Sequence, residues 1–73
     1  MQSLDLHGVK HGAADEVLRL FLNFADLPCE IITGNSPIMK EIVRSIIQEY
    51  GWVSREKDSY NIGALIISER NRK

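Results

Sequence analysis

The sequence predicts one α/β domain of the α+β two-layer kind. A four-stranded mixed sheet carries two helices on one face, in the order β-α-β-α-β-β. Three observations predict it. Two long stretches repeat apolar residues every three or four positions, Ala13 to Ala25 and Ile38 to Tyr50, as helices with one buried face do. Four short stretches, around Leu4, Ile31, Val53 and Leu65, are apolar or alternating and are bounded by glycine or proline. At 73 residues the chain has room for one modest core and no second domain.

In chain order, Leu4-Asp5-Leu6-His7-Gly8 reads as a strand. Alternation sends Leu4 and Leu6 to one face, Asp5 and His7 to the other, and Gly8 lets the chain turn. Val9 to Gly12 is a loop carrying Lys10 and His11. From Ala13 the stripe Ala14, Val17, Leu18, Phe21, Leu22 and Ala25 marks the first helix. Asp15 and Glu16 are placed in its first turn, at the positive end of the dipole, and Leu27-Pro28 ends it. Cys29 to Thr33 is a buried strand. Gly34-Asn35 turns the chain, Ser36 is an N-cap and Pro37 a first helical residue. The second stripe is Ile38, Ile42, Val43, Ile46, Ile47 and Tyr50, closed by Gly51 as a left-handed cap. Trp52 to Glu56 alternates as a half-exposed strand. Lys57 to Asn61 is a hairpin loop, and Ala64 to Ile67 a strand apolar on both faces.

Composition excludes several function classes. No run approaches the roughly 20 apolar residues of a membrane span, and the amino end lacks a signal-peptide pattern, so a cytoplasmic protein is expected. Cys29 is the single cysteine, which rules out an internal disulfide and a protein-only zinc finger. A net charge of -1 argues against coating nucleic acid by bulk charge and leaves room for a local patch. Arg70 to Lys73 reads as a frayed basic end.

Short strand-helix-strand connections close right-handed, so the first two strands should run parallel. Their carboxyl ends then share a rim, bringing His7-Gly8 beside Thr33-Gly34, where ligands of open α/β sheets bind. The second helix points its amino end there, offering N–H groups to an anion such as phosphate.

With Asp5 and His7 on a strand exit and Thr33-Gly34 beside them, the chain resembles the Smr (small MutS-related) domain family. The resemblance rests on Leu4-Asp5-Leu6-His7-Gly8, then Ile32-Thr33-Gly34, Pro37-Ile38-Met39-Lys40 and a last strand led by Gly63. It spans essentially the whole chain in order. It implies a two-layer sandwich similar to the carboxyl-terminal domain of a translation initiation factor. It also implies binding of DNA or RNA, with endonuclease activity in some members. The family's proposed functional elements fall on Asp5, His7, Thr33 and Gly34. The family's loop continues with a second glycine and several polar residues; here Asn35 and Ser36 lead straight into Pro37.

In the nuclease reading, His7 is the general acid or base for phosphodiester cleavage, because imidazole exchanges protons near neutral pH. Asp5 orients it or holds a divalent cation such as magnesium or manganese. Gly8, Lys10, His11, Thr33, Gly34, Asn35, Lys40 and Arg44 complete the candidate nucleic-acid contacts, with Lys40 and Arg44 one helical turn apart. No metal-ligand cluster is read from the sequence. The bland reading makes Asp5 and His7 a turn-stabilising pair and the basic residues solvated surface. The shortened loop and slightly acidic charge favour an alternative: a non-catalytic module binding RNA or a protein through the rim or the open sheet face.

Overall fold

A computed structural model describes residues 1–58, 60 and 62–70. Ser59 and Asn61 of the expected hairpin loop, and Asn71, Arg72 and Lys73 of the basic end, lie outside the described residues. Among these, the elements are β1 (Ser3–Asp5), α1 (His11–Leu22), β2 (Cys29–Ile32), α2 (Pro37–Glu49), β3 (Trp52–Glu56) and β4 (Ala64–Glu69). The expected order and class are both present.

β1 and β2 pair in parallel, with Leu4 opposite Ile31. The sheet order is β1-β2-β4-β3, and β4 runs antiparallel to both of its neighbours. The last strand therefore enters the middle of the sheet. Residues opposite one another share a face. Leu4, Ile31 and Leu65 lie in one row across the helix-covered face, and Cys29 and Ile67 in the next. Leu6, Ala14, Leu18, Leu22, Val43, Ile46 and Ile47 complete the core between the layers. Cys29 is buried there, and burial pushes its thiol up; it serves as a small hydrophobe.

The opposite face carries Asp5, Glu30, Ile32, Ala64, Ile66 and Arg55. Ala64 and Ile66 are nonetheless buried on this side. Lys57 Nζ and Glu30 Oε2, 3.0 Å apart, reach towards each other across β4, and such long side chains cover apolar surface with their methylene stems.

Several details differ from the sequence reading. β1 ends at Asp5, so His7 and Gly8 lie in the turn after it rather than on the strand, and β4 runs on to Glu69. α1 starts at His11, two residues early, because the Ala13 N–H bonds the Lys10 carbonyl at 2.9 Å and Gly12 does not break the turn. His11 is thus helical rather than in a loop, and the first turn holds no acid. Asp15 instead pairs with Arg19 one turn on, at 2.7 Å. α1 stops at Leu22, well before Pro28. The N–H groups of Phe24 and Ala25 both turn back to the Phe21 carbonyl, and the Asp26 N–H donates to Gln2 Oε1 at 2.7 Å. The chain leaves the helix there, and Ala25 and Leu27 pack against the core from outside it. On α2 the buried stripe begins at Met39, 2% exposed, whereas Ile38 is 58% exposed. One residue is about 100° of helix, so Ile38 falls off the stripe that Val43, Ile46 and Ile47 define.

The start of α2 is as the sequence predicts: Pro37 is its first residue and the Ser36 Oγ accepts from the Met39 N–H at 3.1 Å. Ser36→Ala should lower stability by about 1 kcal/mol, the usual worth of such a cap. Urea unfolding will measure it, and an unchanged midpoint would remove the cap from the account.

Candidate functional site

Both helices begin at the rim where β1 and β2 end, after short connections through residues 6–10 and 33–36. Leu6 still belongs to the sheet, its N–H bonding the Ile32 carbonyl at 2.7 Å. The next bond is a tight turn, the Val9 N–H returning to the Leu6 carbonyl at 3.0 Å. Gly8 is its third residue, at φ +88°, the position and sign at which a type II turn requires glycine. Asp5 Oδ1 accepts from the His7 backbone N–H at 2.8 Å. The carboxylate therefore braces the turn. Among the described residues it makes no hydrogen bond to the imidazole.

The ring of His7 lies against Gly34. A β-carbon built on Gly34 would come 2.8 Å from His7 Cδ2, with φ at +67°. Only glycine fits both the backbone and the ring there. This contact joins the two strand exits as the parallel arrangement predicts. Among the described residues, neither ring nitrogen of His7 has a hydrogen-bond partner, and the residue is exposed.

Thr33 and Gly34 are held from the other side by the foot of β4. The N–H groups of both donate to one acceptor, the Gly63 carbonyl, at 2.8 and 3.0 Å. The Thr33 hydroxyl, 2% exposed, donates to the Gly34 carbonyl at 2.8 Å, with the Gly63 carbonyl at 3.3 Å. The two amides of the expected phosphate cradle are thus engaged inside the fold. What Thr33-Gly34 supplies is a floor for the imidazole.

The two helix amino ends differ. That of α2 is capped by Ser36. That of α1 has Lys10 at its N-cap with no side-chain hydrogen bond, since an ammonium has only donors. In its first turn the Ala13 N–H is taken by the Lys10 carbonyl, which leaves those of His11 and Gly12 at the helix start, next in the chain to Lys10 and the Gly8 turn. They carry the partial positive charge of a helix start.

Lys40 and Arg44 stand elsewhere. Lys40 Nζ lies 3.4 Å and Arg44 Nη2 3.7 Å from the same oxygen, Glu56 Oε2 on β3. β3 is the sheet edge opposite β1, so these cations are not gathered with His7. Gly34 touches the His7 ring; Gly8, Lys10 and His11 follow His7 within four residues of chain, and Asn35 follows Gly34. Among the described residues no three His, Cys, Asp or Glu side chains converge to hold a metal ion. With an Asp5 oxygen on its own turn, a divalent cation would find a single carboxylate here, a poor fit.

Two features of the rim escape sequence reading. Gly63 is the acceptor that fixes Thr33-Gly34, and its only sequence signal is a glycine at the foot of a strand. Tyr60 stands 97% exposed on the β3–β4 connection, which returns to this rim; an aromatic in a polar loop is its signal. Among the described residues no helix is long and apolar enough to cross a membrane. Comparison of the chain with models of protein families, with characterised proteins and with solved structures finds no match in any of the three.

Proposed function

We propose that this chain is a nucleic-acid-binding domain of the Smr kind, which grips the phosphate backbone of DNA or RNA at the rim. The observation that carries the reading is the His7 imidazole seated on Gly34, its nitrogens without a hydrogen-bond partner among the described residues, four residues before the start of α1, which no side chain caps. A helix start whose first two N–H groups lack a side-chain cap, with an adjacent ammonium, is suited to a phosphate oxygen. His7 is then in reach of the same phosphodiester, as a hydrogen-bond donor or as the acid or base of a cleavage step. Asp5 acts through the turn, as a positioning residue. A cytoplasmic setting accompanies this reading.

The test is binding of labelled single-stranded, duplex and structured DNA and RNA by anisotropy, with nicking followed alongside. Binding should weaken with salt at a log–log slope of about −0.9 per phosphate contacted on duplex DNA, and Lys10→Ala should shallow that slope. His7→Ala should abolish any nicking and leave the fold intact, because the ring is exposed. Nicking unchanged in His7→Ala would remove its chemical role. No binding to any of these nucleic acids at low salt would overturn the proposal.

The engaged amides of Thr33 and Gly34 favour a second reading, a module that binds without cutting. It predicts salt-sensitive binding with no nicking by the unmodified chain.

A further inference from the structure

The outward side of α2 leaves Ile38 58% exposed and Ile42 half-buried, next to Ile46, which the core takes. Ile38, Ile42 and Ile46 follow one another at one-turn spacing and floor a groove of about 370 Å³ between α2 and α1. Its rim is acidic: Asp15 from α1, Glu41 and Glu49 from α2. Arg19 joins Asp15 and Glu49 at 2.7 and 2.9 Å, and these two partners hold its guanidinium firmly charged. Glu41 has no ion pair among the described residues. Three carboxylates against one guanidinium leave the rim negative above an apolar floor.

We propose that this groove docks a basic amphipathic helix of another protein. The accessible floor is Ile38 and Ile42, one turn apart, with the buried Ile46 closing its end, and it takes the apolar face of a helix with anchors at i, i+4 and i+7. The rim selects lysine or arginine beside those anchors by charge. The same rim turns phosphate backbones away. It also disfavours a second copy of this chain set face to face, since a two-fold contact would place acid against acid. The site is independent of the one built around His7.

The experiment titrates the isotope-labelled full chain with two synthetic helical peptides, read by amide shifts. Both carry leucines at the same i, i+4 and i+7 positions; one is flanked by lysines, the other by glutamates. The lysine peptide should shift Ile38, Ile42 and Ser45 and bind about tenfold more tightly than the glutamate peptide, as like charges at the rim oppose docking. In the Glu41→Lys/Glu49→Lys variant, checked for an unchanged fold by its spectrum, the preference should invert. Equal binding of both peptides, shifts confined to other surfaces, or no shift at millimolar peptide would overturn the proposal. So would a dimer by sedimentation that Ile38→Asp dissociates, because the occupant would then be a second copy.

Discussion

Replacing Gly34 with alanine is expected to destabilise the domain by about 2–4 kcal/mol. Left-handed backbone alone costs a side-chain-bearing residue about 1–2 kcal/mol. The new methyl also meets His7 Cδ2 at 2.8 Å, so the imidazole must leave its place. The two contributions separate in a double-mutant cycle. His7→Ala opens the space, so Gly34→Ala should cost less in that background, with a coupling of about 1 kcal/mol or more. Urea unfolding of the four proteins measures it. Additive costs would mean that the ring does not rest on Gly34 in solution, and the geometry behind the binding proposal would go with it.

Ile31→Ala is expected to have the largest effect on stability. Ile31 is fully buried between Leu4 and Leu65 beneath the helices. Truncating such a residue costs about 2–5 kcal/mol. A chain of this size holds only about 4–11 kcal/mol in all, so the variant should lose much of its folded population on mild warming. Ile32, next along the chain, points to the other face and is half-buried; Ile32→Ala should cost clearly less. Thermal melts of the pair decide the matter, and equal losses would contradict the assignment of faces.

What was legible in the sequence is what neighbours in the chain decide. Ser36-Pro37 announces a helix start because cap and first turn are local. The β-α-β unit implies parallel strands because chain handedness admits little else. From those two facts alone His7 meets Gly34. What was not legible depends on residues far apart. Ile38 and Met39 are both apolar, and periodicity cannot choose between neighbours until the core takes one. Nothing near Thr33 shows that the Gly63 carbonyl will claim its N–H and that of Gly34. Nothing near Lys40 shows that Glu56 will draw both it and Arg44 to the far edge. The meeting of the two strand exits at His7 and Gly34 was therefore readable in outline. The engagement of the Thr33 and Gly34 amides by Gly63 and the capping of α2 by Ser36 leave the start of α1 as the helix end that no side chain caps.

The place of β4 has a consequence for how the chain reaches this state. β2 pairs with β1 on one side and with β4 on the other, yet 31 residues separate the end of β2 from the start of β4. During synthesis the helices and three strands emerge first, and the outer edge of β2, with Cys29, Ile31 and Ile32, waits for a partner. An unpaired apolar edge is a template for pairing with another chain. The β3–β4 hairpin ends that exposure, and pairing so distant in sequence is slow relative to helix formation. Folding yield, more than final stability, should then follow the sequence of the hairpin.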